Sequence, residues 1–139
     1  MFVEKRYYSL IEAEGVLPEV RSLVGRMQKI KKALDLLCSI EIEYRDDGLD
    51  FPGESKFTQM NKEYHKLNYQ FFIFLEQFEC FGCVLKDLDQ GLVDFFSVFN
   101  GREIVLCWKA GEKNIRYWHE LDVGFSARKP IRMIREGMR

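Results

Sequence analysis

The chain has 139 residues, 47% of them hydrophobic and 14% aromatic, which amounts to one domain and is too apolar for a disordered segment. A formal net charge of −1 gives no global field for nucleic acid or an anionic membrane surface. The charged opening Met1-Phe2-Val3-Glu4-Lys5-Arg6 does not read as a signal peptide, so the four cysteines are expected as reduced thiols in a cytoplasmic protein.

Ser9-Leu10-Ile11-Glu12 has the form of a capping box and should open a short helix that Gly15 weakens. Leu17-Pro18-Glu19-Val20 then restarts the chain, with Pro18 at a first helical position. From there Val20, Leu23, Met27, Ile30, Leu34 and Leu37, with Tyr44 further on, fall on one seam of a long helix. The turn-rich Asp46 to Gly53 breaks it. A second helix runs to Phe81 along a stricter seam of Phe57, Met60, Tyr64, Leu67, Phe71, Phe74, Phe78 and Phe81, and Gly82 is placed as its left-handed C-cap. Its apolar run Phe71-Phe72-Ile73-Phe74-Leu75 is far short of the roughly 20 residues a membrane span needs. Two matched helices joined by a short loop read as an antiparallel hairpin. Tyr69, Phe72 and Ile73 lie off the seam. The favoured reading sandwiches the second helix between its partner and a sheet; the alternative makes it the face of a homodimer.

After Gly82 the period changes to that of strands. Cys83–Leu85, Leu92–Phe96, Glu103–Trp108 and Ile115–His119 form an antiparallel meander, with Asn100-Gly101 the strongest hairpin signal and the third strand central. The fold expected is therefore α+β. One domain spans 1–139, with a helical half (9–82), a four-stranded half (83–130) closed by Phe125 to Pro130, and a loose basic tail (131–139).

These residues resemble a known family. Tyr8-Ser9-Leu10 and Leu17-Pro18-Glu19-Val20-Arg21 are similar to the opening of the prokaryotic domain of unknown function family 2203. So is the block Lys86-Asp87, Gly91-Leu92-Val93-Asp94-Phe95, Gly101-Arg102-Glu103, Leu106-Cys107-Trp108, Gly111-Glu112, Trp118-His119, Gly124-Phe125, Arg128 and Pro130. The chain departs at Phe96, where the family tends to have Pro, and at Lys129, where it tends to have Arg or Gln. The resemblance implies a small prokaryotic cytoplasmic protein and carries no activity with it.

Candidate sites follow from residue chemistry. Cys80-Phe81-Gly82-Cys83 is a lone CxxC at a helix C-terminus, where the dipole disfavours a thiolate, and reads as two ordinary thiols. Cys107 and His119 are the candidate nucleophile and base if one face holds both; otherwise Cys107 packs as a small hydrophobe. His119, Asp94 and Glu112 offer imidazole and carboxylates to a metal, against a bland reading in which His119 bonds a neighbouring carboxylate or carbonyl. Arg102, Glu112, Arg116, Trp118 and Arg128 are candidate binders of an anionic or planar ligand, or simple ion pairs. No phosphate loop, catalytic triad or paired metal motif appears, and no cofactor is implied. The leading expectation is a non-catalytic interaction module that docks a protein partner or itself through the hairpin. The alternative is a small-molecule-binding or metal-dependent enzyme using Asp94, Arg102, Cys107, Glu112 and His119.

Overall fold

The structure, a computed structural model, describes residues 5–46, 53–124 and 127–134; the side chains of 41–46 and 53–57, including Tyr44 and Phe57, lie outside that description. The capping box forms as expected: the Ser9 amide donates to Glu12 Oε1 at 3.1 Å and the Glu12 amide to Ser9 Oγ at 3.2 Å. The helix it opens, α1, is a single one over Leu10–Asp46, where two pieces were expected. Pro18 lies inside it and cannot donate to the carbonyl one turn back, a loss of about 3 kcal/mol in an isolated helix. Burial outweighs that loss. Leu10, Ala13, Leu17, Val20, Val24 and Met27 form a continuous apolar face, nearly all removed from water. Each Leu or Val so buried contributes roughly 1.5–3 kcal/mol.

The second helix, α2 (Gly53–Glu79), packs along α1 and ends two residues short of the expected Phe81, in a turn that closes at Gly82. The Gly82 amide donates to the Glu79 carbonyl at 2.9 Å, with Gly82 in the left-handed region at φ 70°. A five-stranded antiparallel sheet follows in the order β1 (Val84–Asp87), β2 (Leu92–Phe99), β3 (Arg102–Lys109), β4 (Tyr117–Glu120) and β5 (Lys129–Pro130). The meander expected had four strands. The fifth is a two-residue return that pairs Tyr117 with Pro130 and Trp118 with Lys129. At the far edge Tyr7 bridges Phe96 in parallel. Asn100 and Gly101, at φ 52° and 74°, make the two-residue turn between β2 and β3. β3 is the middle strand and is buried from Ile104 to Trp108.

The main correction concerns what covers the sheet. The core joins the first half of α1 to Val93, Phe95, Ile104, Leu106, Trp108 and Trp118, which share one sheet face. Among the described residues, only the last part of α2 reaches it: Phe78 is buried there, with Phe71, Phe74, Leu75 and Phe81 packed against it. Met60, Tyr64 and Leu67 are half-buried, while Tyr69 and Phe72 are 69% and 56% exposed. The stricter α2 seam therefore lies against α1 rather than the sheet, so α2 is not the sandwiched layer. The start of the expected tail is also inside the molecule: a 3₁₀ turn over Ile131–Met133 buries Ile131 and Ile134 in the same core. Phe125 and residues 135–139 fall outside the described residues.

Candidate metal centre

The Asn-Gly turn fixes the register of β2 on β3. Phe99 faces Arg102, and counting back from that pair brings Asp94 opposite Cys107. β4 then pairs Tyr117 with Cys107 and His119 with Val105. Side chains alternate along a strand, so His119, two residues beyond Tyr117, stands on the same face as Cys107. Asp94, Cys107 and His119 thus project from three adjacent strands on the face turned away from α1.

All three are buried, at 3%, 2% and 5% exposure. One ligating atom from each lies within 4.8 Å of those of the other two. His119 Nδ1 is 2.8 Å from the carbonyl oxygen of Glu120, which can only accept, so Nδ1 carries the proton and donates it. Nε2 is left to face Asp94 Oδ1 at 3.7 Å, too far for a hydrogen bond. Lys86 Nζ stands 4.0 Å from Asp94 Oδ2. The three groups line a cavity of about 220 Å³ walled by Leu92, Phe96, Val105, Leu121 and Val123.

Burial dominates the electrostatics of the cluster. Burial pushes the Asp94 carboxyl above its ordinary range, against the opposing pull of His119, Lys86 and the Cys107 thiol. Burial, together with the Asp94 charge, pushes the Cys107 thiol up to about 12. A free thiolate nucleophile at that position is disfavoured. A bound dication would reverse the preference, because a coordinating thiol loses its proton outright.

The remaining sequence candidates are distributed elsewhere. Glu112 does not join the cluster. Its carboxylate accepts from the Lys109 amide at 2.7 Å and pairs with Arg128 at 2.6 Å, while its carbonyl accepts from Trp108 Nε1 at 2.8 Å. It clamps the β3–β4 connection. Arg128 lies over the Tyr117 ring at 4.1 Å and reaches the Cys107 carbonyl at 3.4 Å, flanking the site without entering the cavity wall. Arg102 points to Glu120 at 3.8 Å, Arg116 is exposed, and Trp118 is buried on the opposite face. Those five do not form one pocket. Cys83 belongs to the helix-side core and Cys80 is exposed, so the CxxC pair is separated from Cys107 by the sheet. Residue-type reasoning missed Lys86 and left Cys107 out of the metal set. The Asn-Gly turn was the available signal, since its register pairs Cys107 with Asp94.

A helix pair packed on one face of a meander, with a buried polar cluster on the other, defines a two-layer α+β protein. The chain belongs to the family described as "Uncharacterized conserved protein (DUF2203)", whose profile matches residues 6–131 and so includes every residue of the cluster. No curated protein and no solved structure matches it. Among the described residues, no helix is long and apolar enough to cross a membrane.

Proposed function

We propose that this chain binds a thiophilic divalent metal ion, zinc above all, through Asp94, Cys107 and His119, with a fourth coordination position open to the cavity. One observation carries the reading: carboxylate, thiol and imidazole meet in a buried cluster, and the imidazole proton is already committed to a backbone carbonyl. In the neutral imidazole that outer hydrogen bond leaves the Nε2 lone pair on the cluster side, the usual arrangement of a metal-ligating histidine. Thiolate with imidazole selects zinc over the hard cations. Tetrahedral zinc holds such donors roughly 3.5 Å apart, so the observed spacing closes onto an ion with side-chain shifts of about 1 Å. Three protein ligands and an open fourth position are the pattern of a reactive rather than a purely structural zinc site.

The test is elemental analysis of purified protein together with cobalt substitution. About one equivalent of zinc and a thiolate-to-cobalt absorption band, both lost in Cys107→Ser and His119→Ala, are expected. Folded wild-type protein that takes up neither ion refutes the reading.

A second reading is supported by the exposure of Tyr69, Phe72 and, on α1, Leu36 at 63%: the helix pair docks a partner or a second copy of the chain. Sedimentation at micromolar concentration tests the self-associating form, and a clean monomer removes it.

A further inference from the structure

We infer that the open side of the metal centre is a subsite for a small organic monoanion, a short-chain carboxylate, held by Lys86 and the apolar walls. This rests on the metal reading above and extends it to the kind of molecule the site takes.

Size comes first. At about 220 Å³ the cavity has room for roughly seven waters, below the roughly 300–1,000 Å³ of sites for drug-sized ligands. The occupant is therefore small. Polarity comes next. Leu92, Phe96, Val105, Leu121 and Val123 present hydrocarbon, so one end of the occupant is apolar.

Charge decides the other end. Asp94 is the single carboxylate lining the cavity among the described residues, and Lys86 the single cation. A dication on Asp94, the Cys107 thiolate and neutral His119 is neutral as a unit. It also claims the carboxylate that otherwise faces Lys86. With that carboxylate on the metal, the Lys86 ammonium at the cavity wall would be left without its protein partner. Two nearby acids are engaged elsewhere: Glu120 is directed to Arg102 and Lys129, and Glu112 to Arg128. Placement supports the same role. Lys86 sits where the β1–β2 register shifts between Leu85 and Asp87, an irregularity of the kind that re-aims a side chain beside a site. Its side chain is 59% exposed, so it can swing onto a ligand without disturbing the core.

A carboxylate fits both demands: one oxygen on the metal, the other toward the ammonium, and a short chain against Phe96 and Val105. The full chain loaded with cobalt gives a direct readout through its visible bands. Titration with butyrate should shift them saturably, at least tenfold more tightly than titration with 1-butanol or inorganic phosphate. Lys86→Met should keep the thiolate-to-cobalt band and weaken butyrate about tenfold or more. Bands that butyrate does not move, phosphate binding as tight as butyrate, or a Lys86→Met protein with unchanged butyrate affinity each overturn the subsite while leaving the metal centre standing. Absence of the thiolate-to-cobalt band removes the metal centre, and the subsite with it.

Discussion

Replacing Asp94 by Asn separates what the cluster does for folding from what it does for a metal. The substitution keeps the shape and an accepting oxygen and removes the charge. In the metal-free protein that charge is a burden, since burial raises the Asp94 pKa above 3.8. For an acid raised in this way, the stability given by the protonated carboxyl is complete below the unfolded value and is lost as pH rises through the folded one. Asn escapes that loss. With metal chelated, the variant should match wild type near pH 4 and exceed it by about 1 kcal/mol near pH 7, since a buried charge without an adequate partner is replaced by a neutral group. For 139 residues the unfolding entropy is such that 1 kcal/mol moves Tm by about 3 °C. Zinc reverses the order. A free concentration a hundredfold above Kd stabilises by about 2.7 kcal/mol, so wild-type Tm should rise by about 9 °C. If loss of the anionic ligand weakens binding a hundredfold, the same zinc concentration gives the variant only about 0.4 kcal/mol, a shift of about 1 °C. Differential scanning calorimetry with chelator and with zinc, at both pH values, measures all four states. Equal zinc shifts in the two proteins, or a metal-free variant several degrees less stable than wild type at pH 7, would refute the reasoning.

Thiol accessibility gives an independent check. Cys38 and Cys80 are exposed, while Cys83 and Cys107 are buried with thiols pushed up to about 12, so iodoacetamide at pH 8 should modify two sites quickly and two slowly by peptide mass spectrometry. Rapid labelling of Cys107 would contradict its placement. Gly91 tests the join between α1 and the sheet. It holds φ 69°, and an added Cβ would stand 2.5 Å from the Ala110 Cβ and 3.2 Å from Gln28 Nε2, whose amide donates to the Leu88 carbonyl at 2.9 Å. Gly91→Ala should lower stability by about 2–3 kcal/mol in urea unfolding, from strain and overpacking together. A loss under about 0.5 kcal/mol would mean the approach is looser than described.

Local chemistry determined a good deal of this molecule. Ser9 and Glu12 cap a helix through their own side chains, Gly82 stops another because only glycine takes that φ cheaply, and Asn100-Gly101 closes a hairpin because both residues tolerate positive φ. Those choices are made within a few residues, so they can be read from a few residues. The Asp94–Cys107 pairing belongs with them, because a two-residue turn sets the register on both sides of it.

The rest needed the assembled structure. Gly15 and Pro18 look like breaks, yet α1 runs through them because the face from Leu10 to Met27 is buried against the sheet and local propensity is the weaker force. The α2 seam is the more regular of the two, but regularity says only that a face is buried, not against what. Ile131 and Ile134 follow a basic run that reads as tail, and the return of β5 to β4 draws them into the core. The site turned on parity. From Cys107 to His119 the chain passes through a connection of 110–116, and a slip of one residue in the pairing of β4 would have put His119 among the helix-side apolar residues, with Trp118 in its place. Packing of Trp118 into the core fixes that register, and the three ligating groups meet as a consequence.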